Sequence, residues 1–246
     1  MRYKKAPILE AVLEFRWSPS KSLDELKAVL TSAAFDGFGE PKPRVQIDAT
    51  VDLDTNTLSH EQRQLGYEVA QRDGSEIVFL EGQKFVFVKR APYDRWESFS
   101  DRAMKLLDAT TSSLNITEFS RVGTRFVNRI DVPDGGEDGY NTDDYVTVRF
   151  DGPREDKGII EEFQMRVVKS SEKEGLRYAL VIATTKSPLP DHSAILLDID
   201  VFTLQPVLTS GGKLLKMLGE MRDEKNDIFM KCLTEKARDL FGGVEP

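Results

Sequence analysis

The sequence predicts an α+β protein: a mostly antiparallel sheet or partly closed barrel, with three or four helices packed on one side. Three observations carry this. Most segments alternate apolar and polar residues with a period of two, the mark of strands with one buried face. They follow one another through short turns, whereas parallel pairs need crossovers of a dozen residues or more. Helical periodicity recurs in only a few places. The 246 residues are read as one domain, 1–246, with two weakly similar β-rich halves, 9–114 and 121–241. In each half a strand, several further strands and a helix follow in turn.

The first strand is "ILEAVLEFRW", with Leu9, Ala11, Leu13, Phe15 and Trp17 on the core face and Glu10, Glu14 and Arg16 on the other. "SLDELKAVLTSAAF" opens with Ser22 and Glu25 at capping-box spacing and repeats Leu23, Leu26, Val29 and Leu30 at helical intervals, so a helix ends near Gly37. "RVQIDATVDL" and "LGYEVAQRD" read as strands. "EIVFLEGQKFVFVKR" reads as a hairpin turning at Glu81 and Gly82. "DRWESFSDRAMKLLDATTSSL" is a second helix, with Asp94 and Glu97 placed to cap it and Trp96, Phe99, Ala103 and Leu107 as its stripe.

"RVGTRFVNRID" sets Val122, Phe126 and Ile130 on one face and Arg121, Arg125 and Arg129 on the other, and Pro133 follows at once. Its β-branched content favours a strand over a helix. "DYVTVRF", "FQMRVVKSS", "LRYALVIATTK" and "SAILLDIDVFT" are further strands. The closing segment from Gly211 to Phe241 is amphipathic, with a stripe of Leu214, Leu218, Met221, Ile228, Cys232 and Leu233 and a break expected at "EKND". Leu9, Ala11, Leu13, Phe15, Trp96, Phe99, Phe126, Ile130, Leu218 and Phe229 are the expected core. Between Asp134 and Asp144, three glycines and five carboxylates read as a solvated loop, since the spacing does not fit a calcium-binding loop.

Composition excludes several functions. The net charge of −8 argues against a nucleic-acid binder, which usually carries a basic balance. One cysteine, Cys232, leaves no intrachain disulfide and no thiolate metal cluster. His60 and His192 have no metal-ligand spacing, and there is no nucleophile elbow, P-loop or dinucleotide-binding glycine motif. Asp198 and Asp200, like Asp48, Asp52 and Asp54, share a strand face; carboxylates so placed could hold Mg²⁺ or Mn²⁺, but they read first as strand-end carboxylates facing water. No catalytic residue, no cofactor and no metal ligand is assigned. Glu10 and Glu14 interrupt the apolar run at the start, so it is neither a signal peptide nor a membrane span. A cytoplasmic protein with no membrane partner is expected.

The stretches "YKKAPILEAVLEFRW", "RVGTRFVNRIDVP" and "NDIFMKCLTEKARDLF" resemble one group of sequences. It is a sporadically distributed family of uncharacterised bacterial proteins of about 250 residues, with an N-terminal Pro-Ile/Leu-x-Glu strand and a central Arg-x-Gly-x-Arg-Phe/Tyr-x-Asn-Arg strand. The resemblance implies no activity. It directs attention to Pro7–Glu10 and Arg121–Arg129.

Glu10, Glu14, Arg16, Arg121, Arg125 and Arg129 form the candidate binding set. They suit a ladder of cross-strand ion pairs. They also suit a sheet face that takes an anion, because the guanidinium fork matches phosphate and carboxylate; Lys84, Arg90, Arg166 and Arg177 would add to it, and Gly123 would let a ligand approach the backbone. Two functions follow. One is a non-enzymatic binding or partner protein, taking an anionic small molecule or a protein. The alternative is a metal-dependent enzyme acting on a phosphorylated or nucleotide small molecule. That reading is similar to the triphosphate tunnel metalloenzymes, although Glu10, Glu14 and Arg16 depart from their Glu-x-Glu-x-Lys spacing. A surplus of apolar residues near the C-terminus (Leu215, Met217, Phe229, Leu240 and Phe241) leads to the expectation of a homodimer through that segment or an open sheet edge.

Overall fold

The structure, a computed structural model, describes residues 3–52, 56–134, 141–149, 162–209 and 212–243. In the first half β1 (Ile8–Arg16) leads through α1 (Leu23–Leu30) into a meander of β2 (Lys42–Asp52), β3 (Thr57–Ala70), β4 (Glu76–Glu81) and β5 (Lys84–Arg90), then α2 (Trp96–Leu114). In the second, β6 (Glu118–Phe119) and β7 (Arg121–Pro133) precede β8 (Gln164–Ser170), β9 (Arg177–Lys186) and β10 (His192–Thr203). The short β11 (Val207–Leu208), α3 (Lys213–Cys232) and α4 (Glu235–Asp239) follow.

Nine strands form one antiparallel sheet in the order β2-β3-β4-β5-β1-β7-β10-β9-β8, and β6 and β11 pair separately. The sheet is open, with β2 and β8 at its edges, so of the two expected forms the barrel is not adopted. Each meander returns its last strand to the side of the strand that began its half: β5 pairs with β1 and β10 with β7. The strand order therefore runs symmetrically about the β1–β7 seam.

Alternation places Leu13, Phe15, Phe85, Phe87, Phe126, Ile130, Leu197 and Ile199 in one buried cluster with Leu26 of α1, Phe99 of α2 and Leu218 of α3. The helices thus cover one face of the sheet. Seven of the ten expected core residues are fully buried. Leu9, Trp96 and Phe229 are half-buried, the last two because they line a cavity.

Ser22 and Glu25 form the capping box, but α1 ends at Leu30, and one 3-10 turn (Ala33–Phe35) intervenes before Gly37. The β4–β5 turn is Gly82–Gln83, one residue later than expected, with Glu81 paired to Lys84. The N-cap of α2 is Arg95, whose side chain makes no capping bond, while Asp94 accepts from the Ser98 hydroxyl. "DYVTVRF" contains no strand among its described residues. A 3-10 turn (Thr142–Asp144) is followed by a single bridge from Val146 to Leu233, and Tyr145 and Val146 are buried by packing rather than by a ladder. α3 continues through "EKND" without a break. The chain turns at Leu233 instead, where the Thr234 hydroxyl caps α4 by accepting from Ala237 N–H. The expected acidic loop falls largely on residues 135–140, and Asp54 on residues 53–55, both outside the described residues.

Part of the apolar surplus at the C-terminus is covered within the chain. Phe241 is buried, stacks on Phe229 at 6.2 Å and meets Tyr3 edge-on at 5.2 Å. Lys4 and Lys5 hold this segment through backbone bonds to Gly243 and Phe241. Leu215 and Leu240 remain exposed. No helix among the described residues is long and apolar enough to cross a membrane.

Candidate functional site

The six residues singled out in the sequence lie together on the sheet face opposite the helices, because β1 and β7 are neighbours in a register that sets Glu14 beside Gly123 and Arg16 beside Arg121. β10, on the other side of β7, contributes Asp198 and Asp200 to the same face. Arg121 bridges two strands, donating from Nη1 to Glu14 at 2.7 Å and from Nη2 to Asp200 at 2.8 Å, with its plane 4.6 Å over the Phe202 ring. Arg125 grips Asp198 with two bonds of 2.8 and 2.6 Å. Arg129 donates to Asp131 at 2.9 Å, Arg16 to Glu14 at 2.8 Å and Arg90 to Glu10 at 3.3 Å.

Every one of these guanidiniums therefore has a carboxylate of the chain itself, which offsets the charge an external anion would meet there. Asp198 and Asp200 are mid-strand partners rather than strand ends facing water; Asp198 is 7% exposed. Burial pushes the Asp200 carboxyl above its ordinary range, with Arg121 pulling back against it. The gap left by Gly123 is filled from within: a Cβ there would stand 2.6 Å from Arg121 Nη1. Lys84 pairs with Glu81 at 2.9 Å.

The helix side carries a different arrangement. A cavity of about 540 Å³ lies where the N-terminal segment, the stretch leading into α2, β7 and α3 meet. One face of α3 supplies Arg222, Lys225, Asn226 and Phe229, at the i, i+3, i+4 and i+7 spacing that brings helical side chains together. β7 supplies Phe126 and Asn128, and the stretch before and into α2 supplies Tyr93 and Trp96. Asn128 is 2% exposed, and its amide nitrogen donates to the carbonyls of Phe126 and Leu197, which leaves its oxygen as the remaining acceptor. Among the described residues, five cationic ones line this space (Lys4, Lys5, Arg95, Arg222 and Lys225) against two carboxylates, Asp94 and Glu97, in a chain whose net charge is −8.

Lys225 is the unusual member. Its Nζ sits 4.0 Å over the Phe126 ring. Among the described residues no carboxylate is within ion-pairing distance of it; of the two in the cavity lining, Glu97 lies 3.6 Å from Arg222 and Asp94 3.7 Å from Arg95. Burial, and then repulsion from Arg222, depresses its ammonium pKa to about 7. Burial likewise holds the Tyr93 phenol well above its ordinary value, so it is neutral at physiological pH. Cys232, on the buried side of the same helix, is pushed up to about 11 and is inert there.

The sequence carried a signal for Lys225 that went unread. The α3 stripe runs 214, 218, 221, then 228 and 232, at alternating steps of four and three with one place empty. Position 225 fills that place with a lysine where the pattern calls for an apolar residue.

Among the described residues no group of three or more His, Cys, Asp or Glu side chains is placed to hold a metal ion. No protein-family model matches the chain, and no curated protein is detectably similar to it.

Proposed function

We propose that the chain is a small-molecule-binding protein, and that its ligand is a compact organic anion with a flat apolar part, held in the cavity between α2, β7 and α3. The observation that supports this most is Lys225: a cation set into an apolar stripe, over an aromatic ring, with no carboxylate in ion-pairing distance among the described residues. A half-buried ammonium without a partner is disfavoured and its pKa falls in response, and a ligand carboxylate or phosphate beside it would restore the charged form. The walls suit the rest of such a ligand. The half-buried Trp96, Tyr93 and Phe229 give the cavity an aromatic lining, with the buried Phe126 beneath Lys225, and the Asn128 amide oxygen offers one acceptor, the usual balance of many apolar and few polar groups in a ligand pocket. Arg222, 5.9 Å over Trp96, is positioned as the second cationic contact. The arginine face of the sheet supports this reading less, since its charges are satisfied by the chain's own carboxylates.

Calorimetric titration with 4-(hydroxymethyl)benzoate and phenyl phosphate, against neutral benzyl alcohol, tests it. The two anions bind and the alcohol does not; Lys225→Met and Arg222→Ala each weaken binding at least tenfold, about 1.4 kcal/mol. Anion binding that is unchanged in both variants would overturn the assignment, as would no binding of either anion.

A further inference from the structure

We infer that Lys225 is a nucleophilic amine that forms a reversible imine with a carbonyl compound bearing an acid group, such as an aldehyde or 2-oxo acid, bound in this cavity. The inference rests on the cavity being the ligand site and adds a chemical class to its occupant. Three features of the geometry carry it. Among the described residues no carboxylate pairs with the amine to hold it as an ammonium, and the Phe126 ring beneath it leaves its lone pair uncommitted once the proton is lost. It opens onto a space large enough for a compact ligand. Arg222 stands one helical turn away on the same face, with only the exposed Glu97 as its carboxylate partner at 3.6 Å, so an acid group bound in the cavity can meet a guanidinium next to the amine.

The charged groups facing Lys225 agree. From its own helix comes only Arg222, which repels the ammonium. From the stretch entering α2 come Asp94 and Glu97, which Arg95 and Arg222 engage, and Tyr93, which stays protonated. From the N-terminal segment come Lys4 and Lys5. Among the described residues none of these groups ion-pairs with the ammonium, and burial and then Arg222 depress its pKa to about 7. A desolvated lysine beside another cation is the environment that activates this side chain for carbonyl chemistry.

The step is balanced without an oxidant or reductant. The neutral amine's lone pair forms a bond to the carbonyl carbon, and the C=O π pair moves to oxygen. One amine proton passes to that oxygen to give a carbinolamine. The C–O bond then breaks, hydroxide leaving with the second amine proton as water, and the nitrogen pair closes the C=N bond.

The test uses 4-carboxybenzaldehyde with cyanoborohydride, which reduces an imine to a stable carboxybenzyl amine, and 4-(hydroxymethyl)benzoate as the twin that lacks the carbonyl. Peptide mapping is expected to find the adduct on Lys225 at least ~10-fold faster than on surface lysines. At pH 7 the neutral fraction differs by roughly a thousandfold between an amine near 7 and one at 10.5, and the lower nucleophilicity of the weaker base offsets part of it. Labelling rises with a half-point near pH 7 and is blocked by the twin. Lys225→Arg, shown to be folded by its melting transition, loses that fast labelling while the surface lysines react as before. If the twin binds and Lys225 labels no faster than surface lysines, the imine is overturned and the binding site stands. If neither compound binds, both fall together.

Discussion

Lys225→Met is the most informative substitution in the molecule, because it is expected to stabilise the protein while removing a binding residue. In the unfolded chain this amine holds its proton up to about 10.5; in the folded chain it gives it up near 7. Between those values unfolding takes up a proton, so falling pH favours the unfolded state. The penalty is fully present below pH 7 and gone above about 10.5. At about 1.4 kcal/mol per pH unit the gap corresponds to an upper limit on the order of 5 kcal/mol. The side chain is only half-buried, and its contact with Phe126 returns about 1 kcal/mol. A net gain of roughly 2 kcal/mol at pH 6–7 is therefore expected from an isosteric apolar side chain. For a chain of this size that is about 4–8 °C in melting temperature. Denaturation followed at pH 6, 7.5 and 9.5 measures it. The advantage of Lys225→Met is largest at pH 6 and smallest at pH 9.5. A variant that is less stable than the parent at all three, or a difference that ignores pH, would refute the reasoning.

The sheet face gives two more expectations. Arg121→Ala leaves Glu14 and Asp200 close together without their bridge and costs about 2–4 kcal/mol near neutral pH. The deficit shrinks in acid, because a protonated Asp200, whose carboxyl is already raised by burial, needs no guanidinium. Gly123→Ala forces the Arg121 guanidinium aside and costs about 1–2 kcal/mol by denaturant titration; combined with Arg121→Ala it costs less than the sum, since both act on one group. At the sheet edge, Val45, Ile47, Val51 and Leu58 share one exposed face of the β2–β3 arm, and no strand among the described residues pairs with the outer side of β2. Two copies of β2 paired antiparallel about Gln46 would set Arg44 opposite Asp48 twice and Val45 opposite Ile47. We propose a homodimer through this edge: light scattering at micromolar concentration gives twice 27.8 kDa for the parent and 27.8 kDa for Ile47→Asp, whereas equal masses for both would rule the arm out.

The central strands were legible because each buries one face, so a period of two is written directly into Leu9–Trp17 and Val122–Val132. The partners of the three arginines were not legible. Asp198 and Asp200 reach Arg125 and Arg121 only through the register of β10 on β7, some seventy residues apart in the chain, and nothing local specifies that register. "DYVTVRF" alternates like a strand, yet Tyr145 and Val146 are buried beside the end of α3, so the pattern reported burial without reporting a ladder. The polar run "EKND" suggested a break because its residues were weighed as surface. In the fold, Lys225 and Asn226 turn toward the cavity and the helix passes through unbroken. A lysine at a stripe position is a conflict between local pattern and burial, and such conflicts gather at functional sites.

Among the described residues Lys225 has no carboxylate partner, and in the proposed complex the ligand's acid group supplies one. An NMR titration of its Cε and Hε resonances, assigned by their loss in Lys225→Arg, tests this most directly. Half-protonation near pH 7 in the free protein, moving upward when 4-(hydroxymethyl)benzoate is added, is the predicted result. A half-point near 10.5 that the ligand does not move would contradict it.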